Sequence, residues 1–117
     1  MKEKQIQNQI LRTFGTRRDM RLWRANAGTA SFGPPGSRRT VAFGLPGQAD
    51  LTGILPGGTR LEIEVKGPHG RQSREQQFYQ QMIERFGGVY VLARSVEDVW
   101  RAIGGYLGEG SPETVGR

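Results

Sequence analysis

The chain has 117 residues, close to the commonest size of a single domain, so we expect one domain with one core over residues 1–107. Cysteine is absent, which excludes disulfide bonds and thiolate zinc sites, and the polar N-terminus with no long apolar run predicts a cytoplasmic protein without signal peptide or membrane anchor. Seventeen Lys and Arg against eleven Asp and Glu give a formal net charge of +6, which is typical either of a polyanion-binding protein or of a solvated basic surface.

The first half of the chain predicts one helix followed by short strands. Apolar residues at helical spacing predict an amphipathic helix over residues 3–14, and MRLWRANAG predicts a short strand. The segment GTASFGPPGSRR is rich in Gly, Pro and Ser and predicts a long loop. TVAFG and ADLTGIL then predict two strand segments with a turn between them.

The segment LPGGT predicts a hairpin connection between two strands. A three-residue loop over residues 56–58 would pair Leu51 with Ile63 and Gly53 with Leu61. This register puts the apolar residues of both strands on one sheet face, whereas a slip by one residue would bury the charged residues instead. The hydrophobic pattern therefore predicts both the hairpin and its register.

The same register gathers charged residues on the other face. Asp50 lies opposite Glu64, and Lys66 follows on the same side because strand residues alternate between faces. Two carboxylates from adjacent strands suit Mg²⁺, with Mn²⁺ as a substitute, and Lys66 could hold an attacking water or neutralise charge on a phosphate. The alternative is a surface network in which Lys66 offsets the two acids. Glu62 is expected to be an ordinary outward polar residue.

The second half of the chain predicts two helices around one buried strand. Ser73 and Gln76 form a capping-box signature, VYVLA predicts a buried strand, and Ser95 can cap the last helix. The first of these helices has a broad predicted apolar face, formed by Phe78, Tyr79, Met82, Ile83 and Phe86. The tail, residues 108–117, lacks apolar anchors and is predicted to be disordered.

The order helix, strands with a hairpin, helix, strand, helix predicts an α/β fold in which helices flank a mixed central sheet. The VYVLA strand should lie beside the strand that carries Glu64, because a crossover helix joins them. Trp23 and Trp100 are expected in the core.

The ADL segment followed by EVK after a hairpin resembles the core of the PD-(D/E)xK nucleases, with Asp50 and Glu64 as the two acids and Lys66 as the lysine. The resemblance extends over most of the chain. EKQIQNQIL, WRANAG, GQADL, EVK and SREQ follow the order seen in the VRR-NUC family, the virus-type replication-repair nucleases. One departure is Ala49, which stands where the superfamily usually has a proline that carries no chemistry.

This resemblance implies a restriction-endonuclease-like core and a Mg²⁺-dependent endodeoxyribonuclease without a small-molecule cofactor. It also implies a stand-alone, phage-like homodimer that acts on branched DNA such as four-way junctions, in DNA repair and in the host cytoplasm if viral. The implied catalytic residues are Asp50, Glu64, Lys66 and Gln76. The implied metal ligands are Asp50, Glu64, Val65 and Glu3. Capping would explain Gln76 without chemistry, and a favourable charge at a helix N-terminus would explain Glu3.

Four residues are candidates for contacts with DNA. Arg24 and Asn26 lie two apart on one strand beside the expected site, where either could contact a phosphate or simply form an exposed strand face. Arg38 and Arg39 lie in the predicted loop, whose Gly and Pro flanks would let it follow a phosphate backbone. His69 is expected to be a loop residue or a phosphate contact.

Three other functions fit parts of the same sequence. A non-catalytic nucleic-acid-binding module would use the basic surface and leave the acids with a structural role. A restriction-type endonuclease would cut a specific duplex sequence, although the sequence predicts no separate recognition domain. An assembly or scaffold protein of a phage or mobile element would carry its positive charge incidentally.

Overall fold

A computed structural model describes residues 1–25 and 28–108 of the chain. Asn26, one of the predicted DNA contacts, and residues 109–117, most of the predicted tail, lie outside the described residues. The helices are α1 (Glu3–Phe14), α2 (Arg74–Arg85) and α3 (Val96–Ile103), with a 3-10 turn at Gly104–Tyr106. The strands are β1 (Arg21–Arg24), β2 (Gly28–Phe32), β3 (Arg39–Phe43), β4 (Leu51–Ile54), β5 (Arg60–Val65) and β6 (Val89–Ala93).

Four of the strands form a mixed sheet in the order β1-β4-β5-β6. Strand β4 runs antiparallel to both β1 and β5, and β6 runs parallel to β5. A parallel neighbour needs a crossover connection, which α2 supplies. The predicted α/β fold and the predicted neighbourhood of β5 and β6 are confirmed.

The β4–β5 hairpin has the predicted register. Leu51 pairs with Ile63 and Gly53 with Leu61. The hairpin closes where the backbone N–H of Leu55 donates to the carbonyl of Thr59 at 2.8 Å. The buried apolar side chains of the two strands therefore point to one side of the sheet and the charged ones to the other, where Ile54 is an exposed apolar exception.

The larger part of the core lies between the sheet and helices α1 and α3. Ile10 and Phe14 of α1, Val99 and Ile103 of α3 and Ile63 of β5 have no exposed surface. Because apolar residues recur along α1 at helical spacing, one stripe of the helix is buried and the rest faces solvent. Within residues 1–25 and 28–108, no helix combines the length and apolar character needed to cross a membrane.

Helix α2 packs on the opposite face of the sheet, the face of the charged residues. Tyr79 and Ile83 of α2 are buried against Tyr90 of β6. Phe78 and Phe86 are exposed, so the predicted apolar face of this helix was too broad. A single 12-residue helix meets a sheet along one stripe, and residues at the margins of that stripe remain in water.

The predicted long loop was wrong. Strands β2 and β3 pair as a separate two-stranded sheet, and only the tip between them, residues 33–38, is a turn. Arg39 therefore begins a strand and Arg38 ends the turn. The Gly and Pro residues of the tip dominate the composition of the segment and hide the short Thr- and Phe-containing strands beside it.

The two tryptophans differ in burial. Trp100 is half-buried, with its ring centroid 5.8 Å from that of Phe14. Trp23 is 47% exposed, so its predicted place in the core was wrong. Its side of β1 is left uncovered by the helices that the structure describes.

Candidate active site

The two acids of the predicted site meet where strands β4 and β5 lie side by side. Asp50 immediately precedes β4 and lies opposite Glu64 of β5. Its backbone carbonyl accepts a hydrogen bond from the N–H of Ala25 at 2.9 Å, and its Oδ2 accepts one from the N–H of Val65 at 2.8 Å. The first hydrogen bond holds the main chain of Asp50 against the end of β1, and the second fixes its carboxylate against β5.

Glu64 is only 3% exposed, and its two carboxylate oxygens have different surroundings. Oε2 accepts a hydrogen bond from Nε2 of Gln76 at 2.8 Å and lies 3.5 Å from Nζ of Lys66. Oε1 is buried and has no hydrogen-bond partner among the described residues. A buried carboxyl oxygen without a hydrogen-bond donor is costly, so this atom marks a place for a positively charged or hydrogen-bonding group.

Burial makes both acids harder to ionise, and neighbouring negative charges add to the effect. Burial and the charge of Asp50 raise the pKa of Glu64 to about 7, although Lys66 opposes the change. Burial also raises the pKa of Asp50, against the hydrogen bond from Val65, and the charge of Glu3 adds to the increase. A bound cation would reverse this penalty because it favours the ionised form of each acid.

Gln76 has both of the roles that the sequence left open. Its Oε1 accepts a hydrogen bond from the N–H of Ser73 at 2.8 Å, while Ser73 Oγ accepts one from the N–H of Gln76 at 3.1 Å. This is the predicted capping box. The remaining amide group, Nε2, donates to Glu64. The cap holds the amide in place, and the amide in turn orients the carboxylate.

Glu3, from the first turn of α1, reaches the same end of β5. Its Oε2 lies 3.4 Å from the backbone nitrogen of Gly67, a long hydrogen bond. A Cβ atom built on Gly70 would lie 3.4 Å from Glu3 Oε2 and 3.2 Å from Cδ of Lys66. The turn after β5 thus packs closely against Glu3 and Lys66, and glycine leaves room for both side chains.

These residues fit a hard divalent cation. The donor set is oxygen-rich, with the carboxylates of Asp50 and Glu64, and Glu64 offers an unpartnered oxygen. The side chain of Val65 is apolar and buried, so only its main-chain carbonyl could be a ligand. Across residues 1–25 and 28–108, no three His, Asp or Glu side chains are grouped as a metal centre.

Glu62 is not the outward polar residue that was expected. It has no exposed surface and accepts hydrogen bonds from Thr52 Oγ1, from Tyr79 Oη at 2.6 Å and from Arg60 Nε at 2.9 Å. The prediction was wrong because α2 covers this part of the sheet face. With three donors the carboxylate is well satisfied, and it joins the sheet to α2.

The described candidates for DNA contacts belong to two different elements, β1 and the β2–β3 hairpin. Arg24 donates to Oε1 of Gln7 at 2.7 Å and to Oδ1 of Asn8, so its guanidinium lies against α1. Arg38 and Arg39 are exposed at the tip of the β2–β3 hairpin. His69 is exposed in the turn after β5.

Sequence reasoning missed three residues that shape this face of the sheet: Thr52, Tyr79 as a hydrogen-bond donor, and the exposed Trp23. The alternation of strand residues could have indicated Thr52, because it places Thr52 on the same face as Asp50.

No family model, curated protein or solved structure matches the chain.

Proposed function

We propose that the chain is a Mg²⁺-dependent endodeoxyribonuclease that hydrolyses phosphodiester bonds of branched DNA, with Mn²⁺ able to replace Mg²⁺. One observation carries the proposal: the buried Oε1 of Glu64 has no hydrogen-bond partner, while Oε2 of the same carboxylate faces Gln76 and Lys66. A purely structural carboxylate would be satisfied by donors on both oxygens, as Glu62 is. The contrast between the two glutamates of one strand supports a ligand at Glu64.

Each residue of the site has a task in the proposed reaction. Asp50 and Glu64, with the main chain of Val65, would hold the cation, and Glu3 would reach it directly or through water. When bound, the cation would lower the pKa of a water molecule and polarise the phosphate.

Lys66 and Gln76 would act around this pair. Lys66 is half-buried beside Glu64 and would hold the attacking water or neutralise charge on the phosphate as the bond to the leaving strand breaks. Gln76 keeps Oε2 of Glu64 engaged, which leaves Oε1 as the oxygen that would bind the cation.

The net charge of +6 and the exposed arginines of the β2–β3 hairpin support DNA as the substrate. Branched DNA and a homodimer come from the likeness to stand-alone VRR-NUC proteins, and two active sites on a two-fold axis would suit a two-fold junction. A role in DNA repair and a cytoplasmic location, which the cysteine-free sequence suits, belong to the same proposal.

The test is cleavage of matched four-way-junction, flap and plain-duplex DNA by the wild type, Glu64→Ala and Lys66→Ala, each with Mg²⁺, Mn²⁺ or EDTA. We expect metal-dependent cutting of branched DNA that both substitutions abolish. Glu97→Ala is the matched control, because Glu97 is an exposed acid on α3, across the sheet from the site. Cutting that survives in EDTA or in Glu64→Ala would refute the proposed site.

A non-catalytic nucleic-acid-binding module is the second candidate. The ion pair between Lys66 and Glu64 favours it, because this pair partly neutralises the acid without any cation. Binding separates the two functions. If the protein is a non-catalytic binding module, Glu64→Ala should bind DNA at least as tightly as the wild type, since a negative charge is lost. Neither protein should cut any substrate with any metal.

The proposed homodimer has its own test. Sedimentation at micromolar protein concentration, with and without a four-way junction, should show a dimer in at least one condition. A monomer in both would remove the dimer from the proposal and leave the chemistry of the site unchanged.

A further inference from the structure

Trp23 is exposed to solvent on the sheet face that carries the candidate site. Its exposed fraction is 47%, although a tryptophan is usually well buried. It pairs with Thr52 of β4, and paired residues of antiparallel strands point to the same face. Thr52 in turn lies on the face of Asp50 and Glu62. The indole ring is therefore on the side of the sheet where α2 packs.

Helix α2 covers only part of this face. It packs over β5 and β6 through Tyr79, Ile83 and Tyr90. The β1–β4 part of the face remains open, and Ile54 of β4 is also 47% exposed. A groove of about 390 Å³ runs over this open part. Its lining residues are Trp23, Thr52, Gly53, Ile54, Gly58 and Arg60.

Two arginines border the groove. Arg60 lines it and is ion-paired with Glu62 at 2.9 Å, and exposed Arg21 pairs with Ile54 at its border. Glu62 lies beneath the groove but has no exposed surface and is held by Thr52, Arg60 and Tyr79. The solvent-facing wall therefore combines an exposed aromatic ring with two arginines. Such a surface suits a nucleotide, in which an aromatic base is linked to an anionic phosphate.

The groove lies beside the candidate site along β4 and β5. Thr52 follows Asp50 by two residues on the same strand and face, a separation of roughly 7 Å. Thr52 also donates to Glu62, which precedes Glu64 by two residues on β5. A nucleobase on Trp23 would lie next to a phosphate held at Asp50 and Glu64.

We propose that Trp23 is a stacking platform for an unpaired nucleobase beside the phosphate that is cut. This inference rests on the proposed nuclease function and narrows its substrate class, among branched DNAs, to those with an unpaired nucleotide at the cleavage position, such as flaps, rather than fully paired four-way junctions. A fully paired base has both faces covered by its neighbours in the duplex, so only an unstacked base can lie on the indole. Arg21 and Arg60 would contact the flanking phosphates.

The first test measures binding in EDTA, where no cleavage occurs, so that it does not depend on catalysis. The probes are a duplex with a short single-stranded thymidine tail and the blunt duplex of the same sequence. In a Trp100→Phe background Trp23 is the one remaining tryptophan, since the chain has two. We expect the tailed duplex to quench its fluorescence and the blunt duplex to leave it unchanged. Equal quenching by both probes, or none by either, would overturn the proposal.

The second test compares affinities. Trp23→Ala should bind the tailed duplex roughly 5- to 150-fold more weakly, as expected for the loss of one base–aromatic stack, and the blunt duplex as the wild type does. Trp23→Phe should retain most of the affinity because it keeps an aromatic face. Tyr106→Ala removes another exposed aromatic ring, in the 3-10 turn after α3, and should change neither affinity.

Other outcomes would assign a different role to the sheet face around Trp23. An equal loss of affinity for both probes would make Trp23 a general duplex contact and overturn the stacking site. A shift of Trp23→Ala from dimer to monomer in sedimentation would show that a second copy covers the face, which also overturns it. Selective binding of tailed DNA without cleavage in any metal would keep the stacking site and refute the nuclease function. If branched DNA is cleaved but Trp23→Ala binds both probes as tightly as the wild type does, the nuclease function would stand and the stacking site would be refuted.

Discussion

Ionising Glu64 in the folded protein should cost stability, and Glu64→Gln should remove that cost. Burial and the neighbouring Asp50 raise the pKa of Glu64 from an ordinary 4.5 to about 7. Below pH 4.5 the carboxyl is protonated in both the folded and the unfolded state. Between pH 4.5 and 7 the unfolded state releases this proton while the folded state keeps it, so stability falls as the pH rises.

The size of the effect follows from the pKa difference. One pKa unit corresponds to about 1.4 kcal/mol, so the full cost above pH 7 is about 3 kcal/mol. The residue is 3% exposed, so water screens this cost little. For a domain of this size the melting temperature changes by roughly 4 °C per kcal/mol, which predicts a difference of about 12 °C between Glu64→Gln and the wild type at pH 8.

The assay is thermal and urea unfolding of both proteins at pH 4.5 and pH 8, without divalent metal. We expect similar stabilities at pH 4.5 and a more stable Glu64→Gln at pH 8. Mg²⁺ should stabilise the wild type at pH 8, by about 2.7 kcal/mol at about a hundredfold excess over its Kd, and should leave Glu64→Gln nearly unchanged. A wild type that is the more stable protein at pH 8 without metal would refute the reasoning, because the ion pair with Lys66 would then outweigh burial.

Three further predictions concern the parts around the site. Replacing Arg38 and Arg39 together by alanine should lower the slope of log affinity against log salt for duplex DNA by about 1.8, and an unchanged slope in a salt titration would remove the hairpin tip from the interface. Tyr79→Phe leaves one oxygen of Glu62 without its donor and should lower the free energy of unfolding by about 1 to 3 kcal/mol in urea, whereas a neutral result would mean that water replaces the hydroxyl. Ser73→Ala should cost about 1 kcal/mol through the lost helix cap, and no change in urea unfolding would contradict the capping box.

The hairpin and its register could be derived from the sequence because the information is local. The turn residues between β4 and β5 set the loop length, and the alternation of apolar and charged residues allows only one alignment that keeps charges out of the core. The helix starts at Ser73 and Ser95 are equally local, since a capping side chain bonds to an N–H three residues away. The meeting of Asp50 with Glu64 follows from this register alone.

The β2–β3 hairpin was missed for the opposite reason. Few side chains of β2 and β3 are buried in the described structure, and apolar and polar residues do not alternate clearly along these strands. The Gly and Pro residues of the turn therefore dominated the prediction over the β-forming residues beside them. A segment that packs mainly on itself leaves no hydrophobic pattern for sequence analysis to find.

Sequence alone determined which residues share a sheet face, because the two-residue period of a strand is a property of the chain itself. It could not determine what lies above that face. In LEIEVK the two glutamates are equivalent by pattern, yet Glu62 meets Thr52 and Tyr79 while one oxygen of Glu64 meets no donor in the described structure. Where α2 crosses the sheet decides this difference, and also leaves Trp23 open to solvent. That placement depends on packing between residues far apart in the chain, which a local pattern does not encode.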